Sequence, residues 1–408
     1  MATVLFGAVM FNLAEVTRMI EIARALDPRH TPVFFGFEDD YVSLVTGAGF
    51  EYRALEPAWT AEQRFQALRF DQAKTLRNPF TVELVAARVA MERALIRETG
   101  AEAVVIGTNA TSMISARAEG VTLWYAVPFA LTRPHIAQTR RLGLVPGNGR
   151  GAGLLDVVAT RAFRWIYNHA PLGPRSFTRV ARANGLPPLR TVVSLLEADR
   201  NLLTVMPDEL RGYTLPDGYE RVGPIFAHLD APMPELVHEL ASRSEPLVYL
   251  GLGSSASRTV ALAAARRLGS LPINVVAPIR HYLSPGDALP PNVHVTDLIP
   301  AHRLDGLVDA AVLHGGQGTV QTACATGVPF VGMGLQPEQA WNVAVCAARG
   351  NAIALSPRDA GTPKLSDAVR RLSEEGAFRR TAAEVAREYE AEDGAAASAR
   401  LIEEALGG

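Results

Sequence analysis

At 408 residues, 48% hydrophobic and 20% charged, the chain exceeds one ordinary domain and has material for two buried cores. Its net charge of −2, with Lys and Arg reading as scattered, offers no basic face and argues against nucleic acid as a partner. The two cysteines, Cys324 and Cys346, exclude a disulfide framework and lack CxxC spacing for zinc, so both read as small core residues.

The N-terminus, Met1 to Gly7, has no basic n-region and reads as a strand rather than a signal peptide. No apolar run approaches the roughly 20 residues that span a bilayer, so neither stable membrane insertion nor a location outside the cytoplasm is expected.

In chain order, Thr3 to Val9 is an apolar strand, and Asn12 to Leu26 carries the helical spacing Leu13, Val16, Met19, Ile20, Ala23. Val33 to Phe37 and Glu51 to Leu55 are strands flanking a helix from Asp40 to Ala48. Thr60 to Gly100 turns polar and helical around Pro79. A strand at Ala103 to Ile106, a helix at Thr111 to Glu119 and a strand at Thr122 to Val127 follow. This alternation predicts a doubly wound parallel sheet. From Pro128 the pattern loosens: Gly147 to Gly153 reads as a flexible loop, Arg161 to His169 as a short amphipathic helix, and Asn201 to Met206 as a closing strand. Pro207 to Pro224, punctuated by proline and glycine, reads as a linker.

A second alternation starts at Pro246 to Leu250, ending in Gly251-Leu-Gly253-Ser254-Ser255. Val260 to Leu268 reads as helix, Ile273 to Ala277 and His294 to Thr296 as strands, and Ala301 to Leu307 as a short helix. Ala310 to Leu313 is a buried strand that breaks at His314-Gly315-Gly316-Gln317-Gly318-Thr319 and resumes as a helix from Thr319 to Thr326. Gly327-Val-Pro329 then opens the strand Phe330 to Met333; Ala352 to Leu355 is the last strand, and Leu365 to Leu406 is largely helical. The fold class is therefore α/β, with two Rossmann-like doubly wound domains facing across a cleft: 1–206 and 225–385, a linker at 207–224, and a C-terminal helix at 386–408 packing back toward the first domain.

Both glycine turns follow a strand and precede a helix, where free backbone N–H groups and a positive dipole end suit a phosphate. Neither is a Walker loop, and Gly315-Gly316-Gln317-Gly318 does not match the dinucleotide GxGxxG pattern. Glu338-Gln339, in the loop after Phe330 to Met333, pairs a carboxylate with an amide that can grip vicinal hydroxyls; a plain helix-start carboxylate is the alternative. Glu38-Asp39-Asp40 is the one metal-like acidic trio and reads as a capping cluster. No metal site is expected.

His314 to Thr319, then Ala325-Thr-Gly-Val-Pro329, then Glu338-Gln-Ala-Trp-Asn342 resembles the donor-site signature of nucleotide-sugar glycosyltransferases with the GT-B fold, most of all the bacterial natural-product (macrolide-type) branch. Further matches lie at Phe35 to Phe50, Val222-Gly-Pro224, Leu247 to Ser254 and Pro290 to Pro300. The resemblance implies that His314, Gly315, Gly316 and the Gly253-Ser254-Ser255 turn hold a diphosphate, with Gln317, Gly318 and Thr319 completing it. It further implies that Leu298 and Ile299 meet the base, that Glu338 and Gln339 meet the sugar, and that no metal is used. No cofactor is then needed beyond the co-substrate, a UDP- or TDP-type sugar. The partners are that nucleotide sugar and a small hydroxylated acceptor, and self-association into a homodimer is compatible with the sequence.

The chain departs from the family at its general base. Where relatives open the first helix with a histidine, this sequence has Glu15; where an aspartate orients that histidine, it has Thr108. A carboxylate needs no partner to fix a tautomer, so Glu15 is the candidate base of an inverting displacement. Asn12 is a supporting polar contact, and His135 is a second candidate in a segment read as an exposed loop. Phe65, Phe70, Trp124, Phe129 and Trp165 are candidates to line an acceptor pocket. Two rival readings share the donor site: a sugar-nucleotide epimerase, and a non-catalytic homologue that binds nucleotide sugar or a partner enzyme.

Overall fold

The computed structural model describes residues 1–60, 62–64, 66–67, 78–145, 150–171, 173–253 and 256–407. They form two compact units: Met1–Gly223 together with the C-terminal segment from Asp393, and Pro224–Glu392.

The first unit is built on an all-parallel sheet of β1 (Thr3–Gly7), β2 (Thr31–Gly36), β3 (Glu51–Ala54), β4 (Ala103–Ile106), β5 (Thr122–Val127), β6 (Arg200–Leu203) and β7 (Tyr219–Arg221). Their spatial order is β3-β2-β1-β4-β5-β6-β7. Parallel strands need crossover connections, and helices covering both faces bury the sheet, so β4 is buried along its whole length. The crossovers are α1 (Leu13–Ala25), α2 (Val42–Gly47), α3 (Val82–Thr99), α4 (Ser112–Ala118), α5 (Arg133–Gln138), α6 (Arg150–His169) and α7 (Arg175–Ala183). The direction of winding reverses between β1 and β4, which pair in the register Gly7 to Ile106.

The second unit repeats the plan with β8 (Leu247–Gly251), β9 (Asn274–Ala277), β10 (Val293–Val295), β11 (Ala310–Leu313), β12 (Phe330–Gly332) and β13 (Ala352–Ala354), ordered β10-β9-β8-β11-β12-β13 and all parallel. Its helices are α8 (Glu235–Ala241), α9 (Arg258–Leu268), α10 (Gln317–Ala325), α11 (Pro337–Arg349), α12 (Pro363–Glu374) and α13 (Gly376–Glu390). Here the reversal lies between β8 and β11, with Gly251 beside Leu313. The core runs through Val248, Leu250, Val275, Val312 and Val331. Cys324 on α10 and Cys346 on α11 are both buried thiols whose sulfurs lie 3.7 Å apart.

The last helix, α14 (Gly394–Gly407), belongs to the first unit and packs on α1; Glu403 Oε1 accepts the Asp27 N–H at 2.7 Å. The helical start expected at 386 falls inside α13, which stays with the second unit.

Several expectations are corrected. The stretch 207–224 is not all linker: Tyr219–Arg221 pairs with β6 as the edge strand β7, a three-residue segment too short to show a period. Helix α6 starts at Arg150 and takes in Gly151 and Gly153, which read as loop; Gly147, Asn148 and Gly149 lie outside the described residues. Ala301 to Arg303 is a single 3-10 turn rather than a helix to Leu307. The acidic trio does not cap α2, whose N-cap is Tyr41. Glu38 is instead buried against Arg88 at 2.9 Å, and Asp40 pairs with Arg64.

Candidate functional site

In an open parallel sheet a ligand site forms at the carboxyl ends of the strands where the winding reverses, because the loops there diverge and leave a crevice. Each unit places part of its singled-out residues at that point: Glu15 in the first, and Gly253 with His314–Thr319 in the second.

In the second unit, β8 runs into Gly251-Leu252-Gly253 and the adjacent β11 runs into His314-Gly315-Gly316. Gly253 has φ +57° and Gly315 has φ +85°, the left-handed region that favours glycine. Space demands glycine as strongly. A Cβ on Gly253 would lie 2.6 Å from His314 Cε1, one on Gly316 would lie 2.3 Å from His314 Nε2, and one on Gly315 would meet the Gln339 carbonyl at 2.7 Å. The imidazole thus fills the room that two glycines vacate. His314 is buried, with Nδ1 3.4 Å from the Gly251 carbonyl. Burial pushes its pKa down to about 4, so the ring is neutral at pH 7. With the Nδ1 proton toward that carbonyl, Nε2 is the acceptor nitrogen of the neutral ring.

Gly316 is the N-cap of α10, and Gln317, Gly318 and Thr319 form its first turn, whose N–H groups stand outside the intrahelical ladder. Sequence reading missed the residue that braces the other turn. Tyr282 donates its O–H to the Gly253 carbonyl at 2.6 Å and accepts the Ala256 N–H at 3.0 Å, tying off the β8 turn from both sides. Ser254 and Ser255 lie outside the described residues. The helix after them starts only at Arg258, capped by Ser257, whose hydroxyl accepts from the Val260 N–H.

Glu338 and Gln339 are not in a loop: Pro337 at the first position pre-sets helical φ, so α11 already includes them. The Asn342 amide joins the group, donating to the Gly315 carbonyl at 3.0 Å and to Glu338 Oε1 at 2.6 Å. Gln339 is buried and its Oε1 accepts the Leu335 N–H at 3.0 Å. Asn342 therefore links Glu338 to the glycine turn. Leu298 is exposed and Ile299 buried in the segment after β10.

In the first unit the reversal point is occupied by Glu15. This carboxylate, 5% exposed, accepts from Asn12 Nδ2 at 2.7 Å, from the Thr108 hydroxyl at 2.6 Å and from the Thr108 N–H at 2.9 Å. A Cβ on Gly107 would lie 2.1 Å from Glu15 Oε2, so the carboxylate needs glycine at that place. Glu15 and Thr108, which stand where both halves of the family's histidine–aspartate pair are missing, are thus one hydrogen-bonded pair joining the start of α1 to the end of β4. Arg18, one turn on, is buried and donates to the Ala126 carbonyl at 3.1 Å.

His135 is not an exposed loop residue. It lies in α5 at 2% exposure, its Nδ1 3.1 Å from the Ala130 carbonyl and its ring against Phe129 and Tyr213. Burial lowers its pKa to about 4. This is a packed, neutral imidazole. Trp124 and Phe129 are core residues, Trp165 is exposed, and Phe65 and Phe70 lie outside the described residues. A second buried carboxylate escaped sequence reading: Glu92 on α3, 1% exposed, accepts from Asn109, Thr111, Ser112 and Ser115. An acid on an amphipathic helix carries no sequence mark of burial. Among the described residues, no three His, Cys, Asp or Glu side chains are grouped as metal ligands would be.

Comparison with known proteins agrees with this geometry. Residues 266–404 match the C-terminal domain of the erythromycin biosynthesis protein CIII-like family. The chain is 26% identical over 392 residues, 95% of its length and 88% of the relative's, to a PGL/p-HBAD biosynthesis glycosyltransferase of Mycobacterium tuberculosis. Among solved structures it is similar to the spinosyn forosaminyltransferase SpnP, with a TM-score of 0.71 at 19% identity over 100% of both chains. It also matches the glycosyltransferase VinC, crystallised with dTDP, with a TM-score of 0.68 at 18% identity over 99% of this chain and 100% of that one. The two Rossmann-like units are the GT-B fold.

Proposed function

We infer that this chain, a homologue of glycosyltransferases with the GT-B fold, moves a sugar from a nucleoside diphosphate to the hydroxyl of a small acceptor. One observation carries the reading: the second unit's two glycine turns lie side by side at its reversal point, bonded through Asn342 to the residues expected to hold the sugar. Full-length likeness to a glycosyltransferase supports the activity class, and dTDP bound to VinC supports a thymidine or uridine diphosphate donor.

In this reading the first-turn N–H groups of α10 and the turns at Gly253 and Gly315-Gly316 receive the diphosphate. Glu338 and Gln339 receive sugar hydroxyls, and backbone at Leu298-Ile299 meets the base. Helix dipole and backbone donors stabilise the leaving diphosphate, with no metal required. The acceptor oxygen attacks the anomeric carbon as the carbon–oxygen bond to the diphosphate breaks. Its proton passes to Glu15, and the single displacement inverts the anomeric centre. Asn12 and Thr108 hold the carboxylate for that transfer.

The test measures nucleotide release across a panel of nucleotide sugars and hydroxylated acceptors, for wild type, Glu15→Gln and Thr108→Val. Acceptor-dependent release that falls roughly 10²–10⁴-fold in Glu15→Gln at unchanged donor affinity is expected. Intact turnover in that variant removes Glu15 as base. Tight donor binding with no release under any acceptor moves the protein to the non-catalytic reading.

A further inference from the structure

Helix α6 is folded inside out. An ordinary surface helix turns its apolar stripe to the core and its polar face to water. Here the inward residues are polar and hydrogen-bonded. Asp156 accepts the N–H groups of Val145 and Gly143, at 2.9 and 3.1 Å, and the Thr160 hydroxyl accepts the Leu142 N–H at 3.0 Å. Arg164 donates to the Ile136 and Thr139 carbonyls, and the Tyr167 hydroxyl to the Leu131 carbonyl. These bonds fix the helix's rotation and leave its apolar stripe outside. Leu154, Leu155, Val158 and Trp165 are 69%, 61%, 58% and 63% exposed, with Ile166 beside them at 39%. At about 100° per residue these five share an arc of roughly 120°. Of the nine exposed large hydrophobics among the described residues, six lie on this helix, so the exposure is a patch and not scatter.

Charge identifies what covers the patch. Lys and Arg are not scattered after all: residues 133–190 hold ten arginines against the single acid Asp156, a net of +9 in a chain whose total is −2. Arg161 on α6 and Arg140 just before it are exposed, while Arg141 is paired with Asp156 at 3.3 Å. A surface that receives this helix must therefore be apolar inside and anionic at its rim. A second copy of the chain would set one arginine-rich segment against another, which like charge opposes.

We propose that α6 is an interfacial helix that seats the protein on an anionic lipid surface, its Leu154–Trp165 stripe in the headgroup–acyl boundary and the exposed Arg140 and Arg161 on lipid phosphates. An apolar stripe bearing Trp with basic flanks is the physical requirement for lying in that plane. No helix among the described residues is long and apolar enough to cross a membrane, so the contact is peripheral.

The test is flotation of the full chain with vesicles of phosphatidylcholine alone and of phosphatidylcholine mixed with phosphatidylglycerol, at low and high salt. Binding to the anionic vesicles only, weakened by salt, is expected. Leu154→Ser with Val158→Ser should lower it roughly tenfold, and Arg140→Gln with Arg161→Gln should remove its salt dependence, with far-UV circular dichroism unchanged because all four side chains are exposed. No binding to anionic vesicles, or binding indifferent to both variants, overturns the proposal. So does a concentration-dependent dimer that Leu154→Ser dissociates, which would give the patch to a second copy. None of these readouts depends on glycosyl transfer, so its failure and that of the activity are told apart.

Discussion

The glycine turn after β11 makes the sharpest quantitative prediction, because the second unit contains its own control. Gly315 and Gly306 both sit at positive φ, +85° and +67°. Alanine at either meets the left-handed penalty of about 1–2 kcal/mol. They differ in space. Nothing lies within 4 Å of a Cβ on Gly306, whereas a Cβ on Gly315 meets the Gln339 carbonyl at 2.7 Å and Val343 Cγ2 at 2.9 Å. The carbonyl belongs to the first turn of α11 and cannot rotate away, so relief requires helix movement, an overpacking cost of about 1–3 kcal/mol. Gly306→Ala should therefore lose about 1–2 kcal/mol and Gly315→Ala about 2–5 kcal/mol. Urea unfolding followed by tryptophan fluorescence reads both, with a gap of roughly 1 M in midpoint between the variants. Added UDP or dTDP, at about 100 times its dissociation constant, should stabilise wild type and Gly306→Ala by about 2.7 kcal/mol. Gly315→Ala should lose that increment. Equal losses in the two variants would refute the packing of the turn against α11.

The buried pair of Arg88 and Glu38 should behave cooperatively. Arg88, also stacked on Phe37 and Trp59, leaves Glu38 buried alone in Arg88→Met, a loss of about 3–5 kcal/mol that Glu38→Leu should largely restore in the double variant; additive losses in urea unfolding would contradict this. Burial raises the Glu92 carboxyl, so the folded state holds its proton more tightly than the unfolded chain does. Stability from this group is full below the unfolded carboxyl value of about 4.3 and falls as pH rises toward the raised folded value. The advantage of wild type over Glu92→Gln should accordingly be greatest below the unfolded carboxyl value of about 4.3 and shrink as pH rises above it, and a constant difference in unfolding free energy would rule the buried proton out. For His314, lowered to about 4 by burial, a diphosphate beside Nε2 favours the imidazolium, so donor binding should take up a proton. Nucleotide affinity then weakens with rising pH, and calorimetric heats vary with the buffer's ionisation enthalpy; His314→Gln should abolish both.

What could be read from the sequence follows from how each element is buried. Strands covered on both faces show as unbroken apolar runs, and Ala103–Ile106, Thr122–Val127 and Ala310–Leu313 stand at the residues read. An edge strand such as Tyr219–Arg221, half-buried and three residues long, has no such mark. The start of helix α6 is hidden for a different reason: its glycines argue for loop, and its periodicity points the apolar face outward, so pattern gives no clue to orientation.

The base position shows the same limit and what structure adds to it. In sequence, Glu15 and Thr108 are 93 residues apart and appear as two losses from a histidine–aspartate pattern. The parallel register of β1 with β4 makes them neighbours, because a residue that opens α1 and a residue that ends β4 meet wherever those strands adjoin. A histidine there needs an acidic partner; a carboxylate needs donors, and the Thr108 hydroxyl and N–H with the Asn12 amide supply three. The two substitutions are chemically one, the replacement of one hydrogen-bonded pair by another of opposite polarity. If that is so, Glu15→His alone should not restore a histidine-type site, since Thr108 cannot hold the imidazolium, whereas Glu15→His with Thr108→Asp should recover acceptor-dependent release that Glu15→Gln lacks. Recovery by the single histidine would show that the pairing is incidental.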